Sequence, residues 1–125
     1  MAKNITVDGC TLELQNGGSG DISITSTPRS SPKCNGKGVY TELNFSISNY
    51  TGQAITVPKS GSGSGSITTT AVKCKAGGSL LFLEGDVSAS ITINGKAQSG
   101  QSQVPATATE IVKITAAGQS ICKGV

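Results

Sequence analysis

The chain has 125 residues, a formal net charge of +3, 17 Gly, no His, no Trp, one Met, and only two Phe and two Tyr. One domain is expected at this length, but large side chains supply most buried apolar area, at ~25 cal/mol per Å², and their scarcity argues against a thick globular core. The ten basic residues are scattered without interleaved aromatics, which argues against a nucleic-acid partner, and no run approaches the ~18 apolar residues of a membrane span.

No sustained 3.6-residue apolar period appears, whereas short β-branched alternations bounded by Gly, Pro and Asn recur throughout. Residues 4–7 read as a first strand closed by Asp8-Gly9, followed by strands over 11–14 and 21–25, then a loop from Thr27 to Pro32. A second set begins with a strand at Ala54-Ile55-Thr56-Val57. The Gly/Ser run around 58–65 reads as a flexible loop or long hairpin tip, and a strand follows over Ser66–Thr70. A third set places strands over 90–95 and 109–113, with 96–107 as loop.

Three stretches are related. Lys33-Cys34-Asn35-Gly36, Lys73-Cys74-Lys75-Ala76-Gly77 and Lys113-Ile114-Thr115-Ala116-Ala117-Gly118 place lysines 40 residues apart and glycines 41 apart. The second copy continues through the most apolar run of the chain into Glu84-Gly85-Asp86. The opening strands containing Ile5 and Val7, Ile55 and Val57, and Ile91 and Ile93 also correspond. A period near 40 predicts three β units, about 4–45, 46–89 and 90–125, arranged around a pseudo-threefold axis as a small all-β cone or prism with little or no helix.

The missing histidine removes the commonest general base, and of seven acidic residues only Glu84 and Asp86 lie close together, in what reads as a charged turn. No nucleophile has an evident adjacent base, so an enzyme is not expected. Cys10, Cys34, Cys74 and Cys122 form no Cys-x-x-Cys pair. Cys34 and Cys74 are equivalent and matched by Ile114, which points to inward apolar positions. A Cys34–Cys74 bridge, and a zinc or iron ion held by several thiolates, are the other readings open to them. The N-terminus has no apolar signal core, so synthesis in a cytoplasm is expected.

The stretches Ser31-Pro32-Lys33-Cys34-Asn35-Gly36-Lys37 and Val72-Lys73-Cys74-Lys75-Ala76-Gly77-Gly78, the latter leading to Glu84-Gly85-Asp86, resemble the PAAR-repeat proteins. These are the pointed tips of trimeric spikes in phage contractile tails and type VI secretion systems. The family's Pro-Ala-Ala-Arg tetrad is absent, its places held by Gly38-Val39-Tyr40-Thr41 and Ser79-Leu80-Leu81-Phe82. The zinc that the family seats through histidines and a cysteine has no histidine to hold it here. The resemblance implies a structural tip, one chain per spike trimer, at the distal end of a tail or injection particle. It would touch a target envelope transiently, without membrane insertion. Ile5, Val7, Ile55, Val57, Ile91 and Ile93 are the candidate spike contacts, through strand edges at the base. A β-rich capsid decoration or adhesin-type module is the alternative.

Overall fold

The computed structural model describes residues 2–30 and 33–125. The Ser31-Pro32 start of the first motif lies outside them. Among the described residues the fold is all-β, with no helix. The strands are β1 (Lys3–Asn4), β2 (Thr11–Leu14), β3 (Ser19–Ile24), β4 (Lys33–Cys34), β5 (Lys37–Gly38), β6 (Asn44–Thr51) and β7 (Gly61–Ser66). They continue with β8 (Lys75–Ala76), β9 (Ser79–Leu80), β10 (Ile91–Ser99), β11 (Ser102–Glu110), β12 (Val112–Ala116) and β13 (Lys123–Gly124).

The largest sheet has the order β11-β10-β7-β6-β3, so its central strand is Gly61-Ser62-Gly63-Ser64-Gly65-Ser66. This corrects the flexible-loop reading of that run, and the reason is cross-strand complementarity. In β6, Phe45 lies opposite Gly65, Ile47 opposite Gly63 and Tyr50 opposite Gly61. From the other side, Ile91 and Ile93 of β10 close over the same glycines: a Cβ on Gly65 would come within 2.7 Å of Ile91 Cγ2, and one on Gly63 within 3.3 Å of Ile93 Cγ1. The glycines face inward and the serines alternate outward. Large residues covering cross-strand glycines supply the side-chain contacts that the glycines lack. Phe45, Ile47, Tyr50, Ile55 and Ile93 form the heart of the main apolar cluster, joined by Leu43, Val112 and Ile114.

Three other strand expectations differ from the structure. Residues 54–57 form no strand; Ile55 is fully buried, and its carbonyl accepts from Gly52 N. Of residues 66–70, Ser66 ends β7 and only Ile67 makes a further bridge, to Ser88. Residues 96–107, expected as loop, instead fall mostly in the long β10–β11 hairpin, which turns at Gly100-Gln101 and keeps register from Ile91↔Glu110 to Ser99↔Ser102. Pro105 is tolerated there because β11 is a sheet edge, where a missing N–H costs no ladder bond.

Pairing also crosses the three expected units. The boundary at 45/46 falls inside β6, β2 pairs with β12, and β1 pairs with β13. Two glycine motifs form matching two-residue hairpins, β4–β5 and β8–β9. The third does not: Lys113 pairs with Glu13 across β12–β2, and Gly118 sits at φ 92 with its α-carbon packed toward Cys10 N.

Gly65→Val is expected to lower stability by about 1–3 kcal/mol through overpacking against Ile91 and Phe45. Ser64→Val, on the outward face of the same strand, should stay within about 0.5 kcal/mol. Urea midpoints of the two variants check this; equal losses would contradict the inward-glycine packing.

Candidate functional site

Three ribbons, each two residues deep, pack against one apolar cluster. Asn35 and Gly36 (φ 53 and 76) turn β4 into β5, and Gly77 and Gly78 (φ 60 and 84) turn β8 into β9. Two consecutive positive φ values make the type I′ turn that matches strand twist in tight hairpins. The third ribbon joins the two ends of the chain, with Lys3 opposite Gly124 and Asn4 opposite Lys123.

The ribbons are tied to one another. Arg29 donates its backbone N–H to Val39 O (2.7 Å), and its guanidinium lies over Gly77, where a Cβ would come within 2.9 Å of Nη1. Lys73 and Cys74 both donate their N–H groups to Val125 O, and Val7 bridges to Val39. Gln119 clamps the returning C-terminal segment. Its Nε2 donates to Ile5 O (2.7 Å) and Cys122 O (2.8 Å), and its Oε1 accepts from the N–H groups of Ile121 and Cys122. Between the ribbons lies a second apolar cluster of small and medium side chains, Ile5, Val7, Cys34, Val39, Ala71, Ala76, Leu81 and Leu83.

Each ribbon brings one cysteine to this cluster: Cys34 from β4, Cys74 just before β8 and Cys122 just before β13. All are free thiols. Cys34 is pushed up to about 11 by burial and by the neighbouring Cys122 thiol, and burial also raises Cys74. The Cys74 sulfur lies against Gly124, where a Cβ would stand 2.5 Å from it. Cys10 belongs to the other cluster, and burial raises it to about 11. A resident metal does not fit this arrangement. The Cys34 and Cys74 thiols, both raised by burial, resist ionising, Cys10 lies in the other cluster, and no group of described His, Cys, Asp or Glu converges closely enough to hold an ion.

Of the residues singled out in the sequence, Lys33, Gly36, Lys73 and Gly77 belong to the two hairpins or their entry. Glu84 and Asp86 are each committed to a different segment. Asp86, fully buried, accepts from Leu83 N (2.8 Å) and from Thr70 Oγ1 (2.5 Å) and N (3.3 Å), while Glu84 Oε1 accepts from Ala117 N (3.1 Å). The candidate spike contacts do not share an edge. Ile5 and Val7 make isolated bridges to Leu83 and Val39, Ile55 and Val57 lie in a connection, and Ile91 and Ile93 lie in β10. The side chains of Ile5, Val7, Ile55 and Ile93 are buried, and those of Val57 and Ile91 are half-buried.

Two structural anchors were not legible in the sequence. One is Gln119. The other is Glu110, fully buried, whose carboxylate accepts from Asn16 N (2.9 Å), Gly18 N (3.1 Å) and Tyr50 Oη (2.5 Å). Burial, reinforced by this carboxylate, pushes Tyr50 up to about 12. Neither Gln nor Glu at these positions carries a local signal, because the partners come from 92 and 94 residues away for Glu110 and 114 away for Gln119.

A thiol of ordinary pKa 9.0 that ionises near 11 when folded keeps its proton while the unfolded chain loses its own. Ionisation therefore favours unfolding, and stability is expected to hold below about pH 9 and to fall as pH rises toward 11. The raised Tyr40 and Tyr50 add to the same trend at higher pH. Urea midpoints across pH 7–11 check it, and an unchanged midpoint at pH 11 would contradict a half-buried Cys10 and a buried Cys34 that both keep their protons.

Compared with known proteins, the chain matches no family, no curated protein and no solved structure.

Proposed function

We propose that the chain is a structural tip that caps a trimeric spike in a contractile injection machine, one chain per spike trimer. The observation that supports this reading is the three-ribbon end: three ribbons, each with one cysteine, packed around one cluster of small apolar residues. Small and medium side chains let strands converge, and hydrogen bonds donated by Gln119 Nε2 and accepted by Val125 O hold the chain ends into the same cluster. Such an end has little loose backbone to yield under an axial load. Together with the PAAR-like motifs at two of the ribbons, it suits a body that is driven forward on sheath contraction and meets a target envelope first.

In this reading the ribbon end points away from the spike. The edges of the large sheet, at β3 and β11, then meet the partner's β-structure. Edge addition would satisfy their outward backbone groups, which otherwise invite aggregation. The buried isoleucines and valines set the strand faces and leave the contact to the backbone.

A second reading, a decoration or adhesin-type surface module, is favoured by one feature. The five-stranded sheet has no threefold counterpart among the described residues.

Native mass spectrometry of the chain mixed with a trimeric spike from the same particle separates the two. One chain per three spike chains is the expected stoichiometry. Three chains per trimer, or no complex, would overturn the capping role.

A further inference from the structure

Three of the four cysteines gather at the apolar cluster between the ribbons. Cys34 is a buried member of it, and Cys74 and Cys122 are half-buried and pack against it. They arrive from separate parts of the chain: β4, the residue before β8 and the residue before β13. A buried free cysteine commonly serves as a small hydrophobe. Here, however, two of the thiols are side-chain neighbours. The Cys122 thiol adjoins that of Cys34, whereas Cys74 acts on Cys34 only from longer range.

The surroundings select the same pair. The Cys74 sulfur packs against Gly124, where a Cβ would stand 2.5 Å from it, and its backbone N–H is held by Val125 O. Cys122 is fixed by three hydrogen bonds. Its carbonyl accepts from Ile5 N (3.0 Å) and Gln119 Nε2 (2.8 Å), and its N–H donates to Gln119 Oε1 (2.7 Å). Cys34 is fixed by its pairing with Lys37 across the hairpin. Neighbouring thiols on two such anchored segments can be joined with little backbone movement, which is the condition that disulfide geometry imposes.

We propose that Cys34 and Cys122 are a reversible redox pair, closing into a disulfide when the folded chain meets a small-molecule disulfide such as oxidised glutathione. The half-buried Cys122 gives its proton to water and attacks the S–S bond of the oxidant, releasing one glutathione thiolate and leaving a mixed disulfide. Cys34 then loses its proton and attacks the Cys122 sulfur, expelling the second glutathione. Two protein thiols are oxidised to one disulfide, one glutathione disulfide is reduced to two thiols, and the two protons end on them. The bond ties the first hairpin to the C-terminal segment across most of the chain, and a long closed loop constrains the unfolded state strongly. Such a staple stays open where thiols are kept reduced and closes where they are not. Burial raises Cys34 to about 11, so closure is slow at neutral pH and quickens as pH rises. The inference stands on the thiols alone and does not require the spike-tip reading.

The test is oxidation of the folded, fully reduced chain with oxidised glutathione, alkylation of the remaining thiols, and tryptic mapping by mass. Cleavage after lysine puts Cys34, Cys74 and Cys122 on different peptides, 34–37, 74–75 and 114–123. Peptide 34–37 linked to 114–123 within one chain is expected, with 74–75 alkylated. Cys74→Ala should leave the link in place, and Cys122→Ala should abolish it. Oxidation should raise the ratio of folded to unfolded chain at least about tenfold, read as a higher urea midpoint that a reducing agent reverses. A link through Cys74, links between chains, glutathione adducts without a link, or a link that leaves the midpoint unchanged would overturn the pairing.

Discussion

The structure depends on the central strand of its large sheet being almost without side chains. Gly61, Gly63 and Gly65 let β6 and β10 bring Phe45, Tyr50, Ile91 and Ile93 together over a single backbone. A chain with only two Phe and two Tyr cannot build a thick core, and it compensates by making the core thin. Both flanking strands pack their few large residues onto the glycine strand. The same economy surrounds Tyr50, whose ring is hemmed by Gly18, Gly52 and Gly61 at distances that leave no room for a Cβ. Glycine normally weakens a strand interior; here it creates the space that the neighbouring side chains fill.

Polar anchors do the work that apolar bulk does elsewhere. Glu110 ties the turn at Asn16–Gly18 to Tyr50, Asp86 ties the segment at Thr70 to the turn after Leu83, and Gln119 ties the C-terminal segment to Ile5. Each is buried and takes at least three hydrogen bonds. Satisfied in this way, a buried polar group specifies one arrangement, whereas an unsatisfied one would cost more than an apolar residue. These anchors join segments distant in sequence in a fold where several of the sheets have only two strands.

The all-β class was legible because alternation and turn residues are local signals. So were the Asn35-Gly36 and Gly77-Gly78 turns, where two positive φ values require those residue types. The Gly-Ser strand was not legible. Its own residues have low strand propensity, and its partners Phe45, Ile47, Ile91 and Ile93 lie elsewhere in the chain. The strand content of 96–107 was hidden for a related reason: Gly95 and Pro105 are poor strand formers on their own, but β11 is an edge, and a Cβ on Gly95 would stand 2.8 Å from Gly61 Cα, so only glycine fits there. Of the site, the lysine and glycine spacing marked two ribbons. The third ribbon, made from the two ends of the chain, follows only from long-range pairing.

The main apolar cluster is built on the glycine strand, so the behaviour of that strand is the most direct check. Amide hydrogen exchange of Ser62–Ser66, followed residue by residue, measures whether those N–H groups belong to the sheet interior. Protection comparable to that of Phe45 and Ile47 in β6 is expected. Free exchange at the rate of an unstructured Gly/Ser linker, with β6 and β10 still protected, would contradict the account.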